Sequence, residues 1–511
     1  MSKPLLISDV KCINFDKRTV RHCSLFIENG VIASIIPDKQ STPKKARKIN
    51  LKGKYVIPGF IDSHTHLIAR GIELQRIDLE KCKSLNDCFE KLRSALPKDE
   101  ILFGSNWDES NWSSFSTSRL NRYALDRISK QKPIIMRRIC GHFAVVNTKA
   151  LCLIPKKWKI VDSGKGYLYE DVALNLNDIF RPTRIMLQKA VKLGTKEALA
   201  KGITSVHEIA DLDRFKFLQQ IKKKNGLKLR FSVYILSKDL RNILAAGIRS
   251  RSGNDYLRFS GIKLFLDGSI GARTAGLKKP YRDSRIKGKI LISMQKVASI
   301  IREAENSGIQ LMVHSIGDRT TCEVVKVFEK NISRLNPLRH RLEHIEIVDR
   351  FSIKMMAKMN LIASMQPNFA RRWQQPGGMY EHYLGERYKE MNCFKRVKDY
   401  GVRIVFGSDC MPLGPLYGIE GASKHPFACG RLHPSEAFNM YTKEGAYATF
   451  DEARKGTIDK AKLADLVVLD KNPLRVKDMD EVKIVMVIIG GKIVYKNRIS
   501  PINTDNSNRN N

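Results

Sequence analysis

The middle of the chain alternates short runs rich in β-branched residues with longer helix-like stretches. Eight such runs occur, and they are the candidate strands 56–65, 202–208, 229–236, 259–266, 309–314, 340–347, 360–366 and 402–408. Helix-like stretches lie between them, such as 184–201, 294–307, 349–358 and 388–400. This alternation is typical of a parallel sheet built from βα units. Eight units predict an α/β protein with a (β/α)8 TIM barrel.

Strands are also predicted at both ends of the chain. Asn29 and Gly30 separate two apolar runs and indicate a β-hairpin, and two further apolar runs occupy 464–470 and 482–489. The alternation breaks only in a long stretch after the first barrel strand, and the last residues are almost free of apolar side chains. The sequence therefore predicts a composite β-sandwich domain from 1–54 and 455–500, a barrel from 55–454, an inserted subdomain at 71–182 and a disordered tail at 501–511.

The first predicted barrel strand ends in two histidines. Side chains at positions i and i+2 of a strand point to the same face, so His64 and His66 are expected to face the same way. Two neutral imidazoles side by side suit a borderline metal such as zinc. A lone His-x-His pair also occurs in ordinary turns, so the rest of the chain must decide between the two interpretations.

Other potential metal ligands occur in or near the ends of later predicted strands. They are Lys263, His314, His344 and Asp409. Each alone has an ordinary explanation, such as a strand-edge lysine, a core histidine or a helix N-cap. Their recurrence at the same end of successive strands favours one site at the carboxyl face of the barrel.

Lys263 lies within an otherwise apolar run. Burial lowers the pKa of a lysine and favours the neutral amine, which can add carbon dioxide to become a carbamate able to bridge two cations. Four imidazoles, one carboxylate and this carbamate could hold two metals, which would lower the pKa of a bridging water and polarise a substrate carbonyl. Asp409 could then take the proton from the water and deliver it to the leaving group.

The sequence resembles the amidohydrolase superfamily, in the family 3 branch that includes the N-substituted formamide deformylases. The matching motifs are 58–66, 107–112, 141–147, 202–207, 263–275, 314–318, 343–344, 407–412 and 464–469. The likeness runs from about residue 5 to residue 496. No single motif is specific, but their combination is.

This resemblance implies a set of ligands and a substrate pocket. One metal would be held by His64, His66 and Asp409. The other would be held by His314 and His344, with carboxylated Lys263 as the bridge and Asp409 as the catalytic proton shuttle. Zinc is the default metal, although manganese, iron, cobalt or nickel would also suit an oxygen-rich site. The pocket would be lined, by position only, by Trp107, Asp108, Trp112, His142, Asn147, His207 and Asp267.

The chain is strongly basic, with 91 lysines and arginines against 52 acidic residues and a net charge of +39. Such a surface attracts nucleic acid or anionic lipid non-specifically. The basic residues are spread in short runs, and no nucleic-acid-binding module is evident. We therefore expect a small-molecule substrate, no specific nucleic-acid partner and no membrane partner.

The cysteines and apolar runs indicate a compartment. The ten cysteines are scattered without a Cys-x-x-Cys pair, which is typical of reduced thiols. No signal-like region or run of membrane-spanning length develops, so we expect a cytoplasmic protein. A homodimer is the assembly to consider, because it is common among symmetric enzymes.

Three functions remain open from the residues. The first is metal-dependent hydrolysis of an amide, N-acyl or N-formyl C–N bond in a small molecule. The second is deamination of a heterocyclic amine on the same barrel, but such deaminases usually resemble a one-metal arrangement without the bridging lysine. The third is a non-catalytic basic binding protein, against which stands the presence of all six ligands.

Overall fold

The computed structural model describes residues 3–37, 40, 43, 46–96, 100–109, 112, 119–139, 143–156, 158, 162–169, 172–173 and 175–497. The chain divides into two compact units, one formed by Met1–His66 with Thr195–Asn511 and the other by Leu67–Gly194. We call them the barrel unit and the inserted unit. The predicted disordered tail at 501–511 and the predicted pocket residue His142 lie outside the described residues.

The strands are numbered in chain order. They are β1 (Leu5–Asn14), β2 (Thr19–Glu28), β3 (Val31–Pro37), β4 (Arg47–Pro58), β5 (Phe60–Thr65), β6 (Ile77–Asp78), β7 (Leu102–Trp107), β8 (Ile134–Arg138), β9 (Phe143–Val146), β10 (Tyr167–Tyr169), β11 (Ile203–Ala210), β12 (Arg230–Leu236), β13 (Leu257–Phe265), β14 (Gln310–Ser315), β15 (Arg341–His344), β16 (Ile362–Met365), β17 (Ile404–Phe406), β18 (Leu466–Leu469), β19 (Ile484–Ile489) and β20 (Lys492–Lys496).

The described α-helices lie mostly between the strands. They are Leu67–Glu73, Leu85–Ala95, Arg122–Asp126, Thr148–Cys152, Leu176–Ile179, Arg184–Ala200, Leu212–Lys223, Leu240–Ala245, Met294–Asn306, Asp318–Asn331, Arg350–Lys358, Pro367–Trp373, Met379–Leu384, Phe394–Asp399, Pro415–Ser423, Pro434–Met440 and Lys443–Ala448. Within the described ranges, none of these helices has the length and apolar character needed to cross a bilayer.

Eight parallel strands form the barrel, in the order β17-β16-β15-β14-β13-β12-β11-β5. All residues of β5 and β11 are buried, as expected for strands covered on both faces. The two edges of the sheet meet after β17, where the Asp409 N–H donates to the His64 carbonyl over 2.8 Å. The Ser408 N–H also donates to Asp62 Oδ1 over 2.8 Å. The predicted (β/α)8 fold is confirmed.

Gly407 permits this closure, because a Cβ atom at that position would lie only 2.4 Å from the His64 backbone nitrogen. The junction between β17 and β5, which we call the barrel seam, has backbone on both sides, and backbone cannot move aside as a flexible side chain would. We expect Gly407→Ala to lower the free energy of unfolding by about 2–3 kcal/mol, in the range of overpacked cores. Urea unfolding would measure this. In Gly164→Ala, where the nearest atom is 3.5 Å from the added Cβ, little change is expected. A loss no larger than this control would contradict the argument.

Strands from both chain ends form one seven-stranded sheet, in the order β20-β19-β18-β4-β1-β2-β3. The β2–β3 hairpin turns at Asn29 and Gly30, both with positive φ, as their sequence predicted. β4 pairs with β1 in parallel and with β18 in antiparallel, so it joins the N-terminal strands to the C-terminal ones. β4 extends to Pro58, beyond the predicted domain boundary at 54, and only Gly59 separates it from barrel strand β5.

The inserted unit has a sheet of its own, in the order β10-β9-β8-β7-β6. β7 runs parallel to β6 and β8, whereas β9 is antiparallel to β8 and β10. The compact unit spans Leu67–Gly194, compared with the predicted insertion at 71–182. Two hydrophobic clusters lie entirely within this unit, so it has cores of its own.

Candidate metal centre

The six ligands predicted from the sequence lie at the carboxyl ends of five barrel strands. β5 carries His64 and is followed by His66, β13 carries Lys263, β14 carries His314, β15 ends with His344, and Asp409 follows β17. Because all eight strands are parallel, these ends belong to one face of the barrel, where active sites of this fold lie.

Three of the six ligands converge. His66 Nε2 lies 3.3 Å from Asp409 Oδ1, and His64 Nε2 lies 3.8 Å from the same oxygen. One ligand atom from each residue lies within 4.8 Å of the others, and no other group of three or more histidine, cysteine or acidic residues does so in the part of the chain that the structure describes. The separation fits a single divalent cation bound by two imidazoles and a carboxylate.

The other three ligands lie beside this group. The His344 ring is 4.7 Å from the His64 ring and 4.5 Å from the His314 ring, measured between centroids. The His344 Nδ1 and Lys263 Nζ atoms are buried without a hydrogen-bond partner. Buried polar atoms are normally satisfied, so these two atoms indicate a missing partner, and a metal and a carbamate would supply one. The residues present therefore fit the metal ions that the site's chemistry implies.

Loss of hydration favours the neutral, metal-binding form of all four imidazoles. Three of them are buried, and the His66 side chain is 34% exposed. Loss of hydration, followed by the Lys263 charge, lowers the pKa of His66 and of His314 to about 3. The same two causes lower the pKa of His64 well below its ordinary value. Burial and then His314 do the same to the pKa of His344. A neutral imidazole has a lone pair to donate, which a protonated one lacks.

Lys263 and Asp409 are shifted in opposite directions. Burial lowers the pKa of Lys263 to about 8, although Glu343 and Asp409 oppose this effect. Burial raises the pKa of Asp409 to about 7, and the Lys263 charge opposes it. The lysine can therefore be a neutral amine in mildly alkaline solution, which is the form that adds carbon dioxide. In the metal-free protein the aspartate can gain and lose a proton near neutrality.

The backbone adopts a disfavoured conformation at two of the ligands. His344 and Ile345 have φ values of 70° and 41°, and Asp409 and Cys410 have φ values of 52° and 59°. A β-branched residue such as Ile345 rarely adopts positive φ. Strain of this kind tends to persist at functional sites, where it directs a side chain.

A buried ion pair supports His64, the first predicted ligand, and the sequence had not singled out this pair as functional. His64 Nδ1 lies 2.5 Å from Glu343 Oε2, and Arg341 binds the same carboxylate with two nitrogen atoms at 2.6 and 3.0 Å. Burial raises the pKa of Glu343, but Arg341 and then Lys263 outweigh it and keep that pKa below its ordinary value. The available signal was the alternation of charged side chains in a buried strand, because Arg341 and Glu343 are two residues apart and face the barrel interior.

Two predicted pocket residues lie in the barrel unit, and both make structural contacts. His207 is buried, and its Nδ1 lies 3.0 Å from Arg341 Nη1. Asp267 accepts backbone N–H groups of Ile316, Gly317 and Gly276, all within 3.0 Å. Asp267 also lies 3.5 Å from His314 Nε2. The structure therefore places His207 in the support of Arg341, and Asp267 in the turn beside His314.

The remaining described pocket residues lie in the inserted unit. Trp107 and Trp112 are buried with ring centroids 5.9 Å apart, and Trp112 Nε1 donates to the Cys82 carbonyl over 2.9 Å. Asp108 lies 3.6 Å from Arg138. The Asn147 amide accepts the N–H groups of Ile134 and Ala150 and donates to two carbonyls, those of Ser129 and Lys132. All hydrogen-bonding positions of this amide are occupied within its own unit.

Comparison with known proteins agrees with this geometry. The family model described as the Amidohydrolase family matches residues 47–495. The protein YtcJ of Bacillus subtilis (strain 168), whose name describes it as an amidohydrolase, is 26% identical over 517 aligned residues. These residues cover 93% of this chain and 96% of YtcJ. The N-substituted formamide deformylase of Arthrobacter pascens is 23% identical, with 96% and 98% of the two chains covered.

A solved structure has the same architecture. It is the crystal structure of an uncharacterized metal-dependent hydrolase from Pyrococcus horikoshii OT3, with a TM-score of 0.80 and 25% sequence identity. The match covers 93% of this chain and 99% of that one. The motifs, the eight-stranded barrel and these likenesses agree. The chain belongs to the amidohydrolase family and is a metal-dependent hydrolase.

Proposed function

We propose that this protein hydrolyses a C–N bond of a small N-acyl or N-formyl compound with the help of two divalent metals, zinc by default. The observation that carries the proposal is the convergence of His64, His66 and Asp409 beside the buried Lys263 amine, which has no hydrogen-bond partner. The likeness to a protein named N-substituted formamide deformylase supports the class of bond. A lysine in this position also speaks against the one-metal deaminase alternative.

The chain's own residues would hold the metals and move the proton. His64, His66 and Asp409 would hold one ion, His314 and His344 the other, and Lys263 as a carbamate would add anionic oxygen ligands. When bound, the metals would supply an acidified water and polarise the substrate carbonyl. The side chain of Asp409 is 16% exposed and so can meet a substrate, whereas Lys263 and His64 are enclosed.

Asp409 is the group best suited to transfer the proton. Cleavage of a C–N bond needs a proton on the departing nitrogen, because an amide anion is a very poor leaving group. The Asp409 side chain is partly exposed at the site, so its carboxylate can accept a proton from the attacking water and return it to the nitrogen.

Metal content and activity together test the proposal. Protein stripped with a chelator and reconstituted with zinc and bicarbonate is expected to contain about two metals per chain by elemental analysis, because the six ligands suffice for two ions. It is expected to hydrolyse members of a panel of N-formyl and N-acyl amines and to lose that activity after chelation. One metal per chain, with release of ammonia from heterocyclic amines, would contradict the proposal in favour of deamination.

A further inference from the structure

We propose that Arg341 and Glu343 form a positioning pair that fixes the ring orientation and tautomer of His64, and thereby sets the metal affinity of the His64–His66–Asp409 group. The inference rests on the proposed function, because it assumes that this group binds a metal. It goes beyond that function by assigning a role to two residues that would touch neither metal nor substrate.

Glu343 contacts His64 directly. The carboxylate accepts a hydrogen bond from the His64 Nδ1–H group over 2.5 Å, and both side chains are buried. An imidazole that carries its proton on Nδ1 keeps a lone pair on Nε2. That Nε2 is the atom that faces Asp409 at 3.8 Å. The contact therefore selects the tautomer and the ring angle that a metal ligand needs.

Arg341 holds the Glu343 carboxylate through two hydrogen bonds. The guanidinium donates from Nε to Oε1 over 2.6 Å and from Nη2 to Oε2 over 3.0 Å. Such a two-point contact fixes the plane of the carboxylate as well as its distance. Glu343 Oε2 is consequently held where it can accept the hydrogen bond from His64 Nδ1, and rotation of the carboxylate away from His64 is opposed.

Arg341 is itself anchored to three other barrel strands. Its Nη2 donates to the Ser63 carbonyl of β5 and to the Ser364 hydroxyl of β16, each over 2.6 Å. Its Nη1 lies 3.0 Å from His207 Nδ1 of β11. One guanidinium thus connects β5, β11 and β16 to its own strand β15 across the barrel interior. A lysine could not replace it, because an ammonium lacks the rigid fork.

A second buried ion pair provides a matched control. Arg230 binds Asp465 with two nitrogen atoms at 2.6 and 2.8 Å, and both residues are buried. Asp465 also accepts the Gly490 N–H, so this pair joins barrel strand β12 to the seven-stranded sheet. It has the chemistry and burial of the Arg341–Glu343 pair, but Arg230 begins its strand at the amino end of the barrel, where no ligand lies.

The test compares the metal affinity of Glu343→Gln with that of Asp465→Asn. In Glu343→Gln, the amide either turns its NH₂ towards Arg341, where two donors meet, or turns it towards His64 Nδ1, which displaces the proton to Nε2. Both arrangements impair the ligand. Zinc titration of metal-free protein against a chromophoric chelator is expected to show a 10- to 100-fold weaker affinity, typical of the loss of a ligand's supporting partner. Asp465→Asn is expected to lower the melting temperature and to leave the zinc affinity unchanged.

A milder variant keeps the inference testable if Glu343→Gln does not fold. Ser364→Ala removes one anchor of Arg341. Ser364 lies opposite Glu343 in the backbone register of β15 and β16, but within the described residues its hydroxyl bonds to Arg341. We therefore expect a several-fold weaker zinc affinity with an unchanged circular dichroism spectrum. Folded variants that bind zinc as tightly as the wild type would overturn the inference alone. Wild-type protein that binds no metal after reconstitution would overturn the proposed function, and this inference with it.

Discussion

Replacement of Asp409 by asparagine is expected to lower kcat for hydrolysis at least about 10³-fold, within the range that proton transfer contributes to enzyme catalysis. The amide has nearly the shape of the carboxyl, but it can neither accept the proton of the attacking water nor return it to the leaving nitrogen. Asparagine tolerates the positive φ of 52° at this position better than most residues do, so the barrel seam is expected to remain intact.

The matched control for this variant is Asp318→Asn. Asp318 lies three residues beyond β14 and accepts only the N–H groups of Lys278 and Arg319 among the contacts the structure describes. Its amide variant is expected to retain near wild-type kcat. Steady-state kinetics on the best substrate from the panel, with metal content measured on the same samples, separates loss of chemistry from loss of metal. An Asp409→Asn enzyme that is metal-loaded and retains full activity would remove Asp409 from the mechanism.

Lys263→Met is expected to change stability and metal binding in opposite directions. The Lys263 amine is buried without a hydrogen-bond partner, and a buried unsatisfied group costs about 1–3 kcal/mol. Methionine has a similar length and no polar group, so the metal-free variant is expected to be more stable than the metal-free wild type by that amount. The same change removes the amine that would form the carbamate, so metal content is expected to fall and activity to be lost.

Lys455→Met is the contrasting variant. Lys455 is also buried, but it lies 3.1 Å from Asp451 and donates to the Ser205 hydroxyl over 3.1 Å. Removal of one partner of a buried ion pair typically costs about 3–5 kcal/mol. Urea unfolding in the presence of a chelator would compare the two. If Lys263→Met destabilises the metal-free protein as much as Lys455→Met does, the Lys263 amine is a structural group with a partner, and the carbamate hypothesis loses its main support.

Much of the fold was accessible from the sequence because its signals are local. Each barrel strand is a short buried run that can be recognised without knowledge of its neighbours, and all eight were found within a few residues. The terminal histidines of β5 could be placed on one face by the two-residue period of a strand. The turn at Asn29 and Gly30 is equally local, since it depends only on the φ angles that these residues tolerate.

The features that were not predicted depend on backbone detail or on distant contacts. The predicted strand 56–65 joins two strands, because Gly59 divides β4 from β5. The predicted helix 388–400 is interrupted at Asn392, whose φ of 46° is not helical, and the helix begins at Phe394. Pro58 and Gly59 mark the first break in the sequence, whereas no proline or glycine marks the second.

The candidate site was harder to predict where its residues act on one another. Glu343 and Arg341 reach His64 and His207 across the barrel interior, and residues 64 and 343 are 279 positions apart. Pattern along the chain cannot reveal such a contact, because it depends on which strands face each other after closure. The tryptophans and Asn147 were assigned by position only, and the structure shows their partners inside the inserted unit.

The position of β4 has a consequence for synthesis on the ribosome. One edge of β4 pairs with β1, which is made first, but the other edge pairs with β18, which begins at Leu466. The barrel seam likewise cannot close until Asp409 has been synthesised and its N–H can bond to the His64 carbonyl. A nascent chain therefore carries an unpaired strand edge and an open barrel until most of it has been translated. Unpaired strand edges promote aggregation. We therefore expect the nascent chain to be most prone to aggregation before about its last tenth, which contains β18, has been synthesised.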